Sequence, residues 1–197
     1  MSIVLVGSTS GSITLQEPAI AGTTVLDLPA VSGTILTTGS SGQSIPKAAL
    51  PTGSVLQVVN TDYQTETSLT SASATEITGL ATSITPTSSS SKILITGTLQ
   101  VGTNTNTGAI FQLYRGATLI GRDPFKWFFL GNSSLGNDAG GTISWSFLDS
   151  PATTSSTTYK VYWKCDNGAQ TIYLNRTAAG TTNEKGSSQI TLMEISA

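Results

Sequence analysis

Histidine is absent from this chain of 197 residues, which carries eleven Asp and Glu, nine Lys and Arg and a single Cys. The commonest general base and commonest metal ligand are therefore missing, and with them the Ser-His and Cys-His nucleophile pairs. Glycoside hydrolysis needs only two carboxylates, roughly 5–9.5 Å apart, so the acids hold what catalytic potential remains. They are dispersed, and Asp62, Asp123, Asp138, Asp149, Asp166 and Glu184 stand beside turn residues, where carboxylates are usually solvated. Asp62 and Glu66 are expected to share a strand face, but four residues of strand separate them by roughly 13 Å. No enzyme is expected.

Other chemistry is equally thin. Asp138 with Asn137 and Asn132 could offer oxygens to calcium, yet the spacing matches no EF-hand loop. The Ala139-Gly140-Gly141 run is too short to cradle phosphates, and no phosphate-loop or dinucleotide fingerprint occurs. No metal and no cofactor are expected. Lys and Arg are scattered singly and the net charge is −2, so nucleic acid is not an expected partner. Asn132-Ser133-Ser134 and Asn175-Arg176-Thr177 fit the glycosylation pattern but read as chance in a Ser/Thr-rich chain. Cys165 stands alone, so no intrachain disulfide can form and a reducing place of synthesis fits. Its expected role is a small buried hydrophobe on a strand.

The elements that would position these residues are strands. Only 10% of residues are charged, against roughly 25% in average usage, and Ser and Thr take up much of the difference. Thr with β-branched aliphatics favours pleated surfaces, and twenty glycines supply turns. Abundant Val, Ile, Leu, Phe and Trp argue against disorder. No apolar run approaches the roughly 20 residues that span a bilayer, and residues 1–7 lack the basic start and apolar length of a signal peptide. The expected class is all-β.

Organisation divides the chain in three. GSITLQEPAIA (11–21) is followed by the near-copy GTTVLDLPAVS (22–32) and a partial third copy, GTILTT (33–38). One short strand and turn per unit cannot bury its own apolar face, so such units must stack on each other or on other chains. Residues 1–38 therefore read as a β stem with strands at 3–6, 12–16, 23–28 and 34–37. Its apolar positions are Ile13, Leu15, Ile20, Val25, Leu26, Leu28, Val31 and Ile35. Residues 39–53 form a linker and 54–197 a head.

About ten strands are expected in the head, enough for a two-sheet sandwich. They fall at 55–59, 63–69, 76–85 (two pieces around Gly79), 92–101 (Gly97 a bulge), 109–114, 118–121, 125–130, 142–148, 157–164, 171–175 and 189–195. Arg115-Gly116 marks a hairpin, and Asp166-Asn167-Gly168 a tight turn into 171–175. Ile93, Ile95, Leu99 and Val101 should share one face, as should Ile143, Trp145 and Phe147, then Tyr159, Val161 and Trp163, then Ile190, Leu192 and Glu194.

The cluster at 125–129 has two readings. Phe125, Trp127 and Phe129, with Trp145, Phe147, Tyr159 and Trp163, can form core or an oligomer seam, because four aromatics in five positions would otherwise expose a large apolar patch. Alternatively the cluster is a platform on which a sugar or receptor stacks. Loops 102–108, 131–141 and 178–186, with Asn104, Asn106, Asn132, Asn137 and Asp138, are the candidate receptor loops.

The repeats, followed by GQSIPKAAL (42–50), resemble the stem region of bacteriophage tail-fibre and virion-appendage proteins. LATSITPTSSSSKILI (80–95), FQLYRGATLIG (111–121), LDSPATTSSTTYKV (148–161) and TLMEI (191–195) are similar to segments of tailed-phage structural proteins. The resemblance implies a head like the trimeric jelly roll of tumour-necrosis-factor and complement globular domains. It implies a homotrimer on the virion surface, docked through the stem to capsid or tail proteins without membrane insertion, as a head fibre, decoration or tail fibre. A stem of about three repeats suits a short knob or fibre. A host-attachment role, with the head loops meeting a surface glycan or protein, is the alternative.

Overall fold

The computed structural model describes residues 3–6, 9, 12–15, 50–103, 108–120, 140–166, 170–180 and 185–197. The chain divides into two compact units, Met1–Ser44 and Ile45–Ala197. In the first unit, β1 (Ile3–Val6) and β2 (Ser12–Leu15) form an antiparallel pair that sets Ile3 opposite Leu15 and Leu5 opposite Ile13. The remaining stem positions, Ile20, Val25, Leu26, Leu28, Val31 and Ile35, lie outside the described residues, as do the expected strands at 23–28 and 34–37.

The second unit is a two-sheet sandwich, and among the described residues every regular element is a strand. The larger sheet is built on β6 (Lys92–Thr103), whose twelve residues serve three neighbours. One edge pairs along its length with β9 (Gly140–Asp149). The other edge pairs first with β12 (Ser188–Ile195), then with β11 (Ile172–Leu174). β3 (Val55–Tyr63) lies outside β12, and β4 (Thr67–Leu69) outside β11. The smaller sheet runs β5 (Thr75–Ile84), β10 (Thr157–Cys165), β7 (Ala109–Arg115), β8 (Thr118–Ile120).

Alternation explains the layers. A period of two sends every second side chain inward, and the expected faces are the buried ones. Ile93, Ile95, Leu99, Val101, Ile143, Trp145, Ile190 and Leu192 meet Phe111, Leu113, Tyr159, Val161 and Trp163 in one core. Phe147 is half-buried against it, and Cys165 is buried with its Sγ facing the carbonyls of Leu69 and Gln170.

Several expectations need correction. The segments at 55–59 and 63–69 are not two strands of that length, because the β12 ladder carries β3 on to Tyr63, opposite Ser188. Only Thr67–Leu69 then forms β4, so Asp62 and Glu66 do not share a strand. β5 is continuous across Gly79, whose φ of 98° absorbs a register shift against β10 between Lys160 and Tyr162. Gly97 is no bulge: it keeps regular register with Ile190 and Trp145 on its two sides. The Trp145 indole occupies the place a Cβ at Gly97 would take. The turn after Asp166 does not join hairpin partners either. β10 belongs to the smaller sheet, while β11 sits between β6 and β4 in the larger one, so the chain changes layers there.

Candidate functional site

One described end of each of the three candidate loops comes to the same place. Gly102 of β6 stands opposite Gly140 of β9 on one side and Tyr173 of β11 on the other. Gly186 reaches the same place through its N–H, which donates to the Asn175 carbonyl at 3.1 Å. A cleft of about 430 Å³ opens between these loop ends, lined among others by Gln100, Thr142, Arg176, Thr177 and Lys185. The glycines at its margin are filled by protein: Gly102 abuts the Arg176 carbonyl and Gly186 the Gln100 side chain. They permit tight splicing of the loops.

Asn175 is the keystone, and sequence reasoning did not single it out as structural. It follows β11 with φ 61°, a left-handed conformation that Asn tolerates better than most residues, and it is fully buried. Its Nδ2 donates to the carbonyls of Tyr63 (2.7 Å) and Thr65 (3.0 Å). Its Oδ1 accepts from the Ser188 hydroxyl at 2.7 Å, and its own N–H donates to the Gln100 carbonyl at 2.8 Å. Ser188 Oγ in turn accepts from the Gln100 N–H at 3.1 Å. The amide thus bridges the gap on β6 where β12 ends and β11 begins. Those bonds and that burial also close Asn175 to glycan attachment in the folded chain.

Two cations border the cleft. The Arg176 guanidinium lies 4.5 Å from the Tyr173 ring centre, and Lys185 Nζ pairs with Glu66 at 2.6 Å. Lys185 is exposed and Arg176 half-buried at the rim.

The carboxylates expected as solvated turn acids include one that is not. Asp149 is buried at the end of β9 and reaches across the sandwich. It accepts from Arg115 Nη1 at 2.9 and 3.0 Å and from the Tyr159 hydroxyl at 2.7 Å. Burial, then the hydrogen bond to Asp149, pushes the Tyr159 phenol far above its ordinary range. Glu194 on β12 is fully buried too. Burial pushes its carboxyl up, but bonds from the Thr87 hydroxyl and N–H (each 2.7 Å) and from Gln57 outweigh that and hold it below the ordinary value. Glu76 receives Lys160 Nζ (3.0 Å) and the Tyr162 hydroxyl (3.1 Å), and Asp62 receives Gln64 (2.6 Å). Asp149, Glu194 and Glu76 tie separate strands together, whereas the Asp62 bond is local. Among the described residues no three His, Cys, Asp or Glu gather as a metal would need.

Of the aromatic candidates, Trp145, Tyr159 and Trp163 are buried in the core of the single chain and Phe147 lies at its margin. Phe125, Trp127, Phe129, Asn104, Asn106, Asn132, Asn137 and Asp138 lie outside the described residues, so the platform reading and the loop tips do too.

No protein-family model and no curated protein matches the chain. Among solved structures, it is similar to the infectious bursal disease virus VP2 subviral particle, at 11% identity and a TM-score of 0.38, over 72% of this chain and 37% of that one. The Gx strain of the same virus gives 13% identity and 0.35, over 72% and 36%. Dimeric latent PorU from Porphyromonas gingivalis gives 9% and 0.31, over 75% and 14%. The chain thus overlaps little more than a third of either viral chain.

Proposed function

We propose that this chain is a non-enzymatic structural protein of a phage virion, a short homotrimeric fibre or knob anchored by its N-terminal repeats. The observation that carries the reading is an eleven-residue repeat placed ahead of a sandwich that completes its own core. The described part of the first unit is one two-stranded ribbon with Val6 79% exposed, and an isolated ribbon of that size is marginal in water. Sister copies would complete it. Three identical chains close on themselves and need no cofactor. The stem docks on capsid or tail proteins and the head faces outward on the virion surface. Light scattering of the full-length protein tests this across a range of concentrations: a mass of three chains is expected, and a monomer would refute it.

A second reading, a receptor-binding adhesin, is favoured by the cleft where the three loops meet, with Arg176 and Lys185 at its rim. Its expected ligand is a host surface glycan or protein. Binding of the full-length chain on a glycan array, lost in Arg176→Ala, would support it; an array without signal would leave the glycan version without support.

A further inference from the structure

β3 is the first strand of the second unit, so the repeats reach the head through it. β12 runs against it in antiparallel register, from Ser188 opposite Tyr63 to Ile195 opposite Val55. Its side chains also bond to the β5 segment of the smaller sheet. The Thr61 hydroxyl donates to the Ala81 carbonyl at 3.1 Å and accepts from Thr82 at 2.7 Å, and Gln57 Nε2 donates to the Thr85 carbonyl at 2.7 Å. Both ends are fastened as well. Where the chain enters, the Gly53 N–H donates to the Ser196 carbonyl and the Ser196 N–H to the Ser54 carbonyl, each at 2.9 Å. The Ser196 hydroxyl accepts from the Ser54 N–H at 3.0 Å and donates to the Pro51 carbonyl at 2.8 Å. Past the far end, Asn175 holds the carbonyls of Tyr63 and Thr65.

We propose that β3 is a mechanical clamp, through which a pull on the repeat segment reaches the head as shear against β12. The inference rests on the reading of residues 1–38 as an anchor and adds how the head withstands load on it. The two strands start at opposite ends of their ladder, β3 at Val55 where the chain enters and β12 at Ser188 beside the loop ends. Hydrogen bonds between antiparallel strands stand perpendicular to them. A force along β3 toward the repeats therefore strains every rung at once, and β3 leaves only by sliding past β12. Sliding by one residue would turn Val59 and Tyr63, which pack on the core, to the solvent face. It would also tear the Thr61 and Gln57 ties to the smaller sheet. A force drawing Val55 sideways from Ile195 instead opens the ladder one rung at a time. The same bonds are thus strong in one direction and weak in the other. A fibre fixed through its repeats and drawn at the loop end is loaded in the strong direction.

The test pulls single molecules of the full-length protein in an optical trap, with one handle on Ser2→Cys and the other on Ser187→Cys or Ala197→Cys. Ser187 and Ala197 are exposed, and the native Cys165 is buried and takes no handle. Ser187 directly precedes β12, so that tether shears the ladder. Ala197 lies just past β12 beside the chain entry, so that tether unzips it. Unfolding of the head releases about 130 residues, roughly 400 Å of chain, which separates this event from any opening of the repeats. A several-fold higher unfolding force through Ser187 than through Ala197 supports the proposal, because the core is the same in both and only the direction differs. Equal forces, or a weaker Ser187 tether, overturn it. Light scattering of the same variants reads the trimer independently: a monomeric mass refutes the proposed fibre, and the force comparison still decides the clamp.

Discussion

Replacing Asn175 by Ala should be among the most damaging single changes outside the apolar core. The substitution strips donors from the carbonyls of Tyr63 and Thr65 and the acceptor from the Ser188 hydroxyl. A buried polar group left without a partner costs about 1–3 kcal/mol. Only the Ser188 hydroxyl is buried, and the two carbonyls are part-buried, so the three are counted at the lower limit, together about 3 kcal/mol at most. Ala at a φ of 61° adds about 1 kcal/mol of backbone strain. The sum, about 4 kcal/mol, is a large share of the roughly 5–15 kcal/mol that holds a domain folded. In urea, with a slope near 2 kcal/mol/M, the midpoint should fall by about 2 M at fixed protein concentration with the slope unchanged. Asn175→Gly keeps the backbone geometry and loses the bonds, so it should recover only about 1 kcal/mol of that. A loss below about 1 kcal/mol in Asn175→Ala would refute the reasoning, because the strands would then be holding the junction without the amide.

Three further substitutions probe the other ties. Gly97→Ala places a methyl group where the Trp145 indole lies and should cost about 1–3 kcal/mol, with a change in tryptophan emission; an unchanged spectrum and midpoint would refute that contact. Asp149→Ala removes the shared acceptor of Arg115 and Tyr159, and because the Arg115 side chain is 30% exposed the cost should be about 2–4 kcal/mol. Tyr159→Phe should cost about 1 kcal/mol, and the reverse order would contradict the clasp. Glu194 has a lowered folded pKa, so its contribution is full above the unfolded value near about 4.3 and is lost as pH falls through the folded value. Glu194→Gln should therefore be less stable at pH 7 and show a flatter acid limb, whereas an acid limb parallel to wild type would count against it.

Much of the sandwich is legible from alternation. Ile93, Ile95, Leu99 and Val101 fall on one face whatever their neighbours, because the side-chain period of a strand is local. The same holds for Tyr159, Val161 and Trp163, and the hairpin around Gly116 follows from its φ of 58°. Errors arise where pairing is nonlocal. β3 runs past its apolar start through Asn60, Thr61 and Asp62 because β12, about 130 residues on, offers a ladder there. Gly97 resembles a bulge signal, but what demands a glycine is an indole from another strand. Asp149 resembles a turn acid because the residues that bury it, Arg115 and Tyr159, belong to the opposite sheet.

Period, composition and turn chemistry act over a few residues, and for that reason the chain alone set its all-β class, its inward faces and the scarcity of catalytic groups. Tertiary structure decided which edges meet. Only the long ladder with β12 fastens β3 from Val55 to Tyr63, and only the junction on β6 makes Asn175 a keystone. Hydrogen-bond partners in a sheet are set by closing long loops, and no local pattern encodes the far end of such a loop.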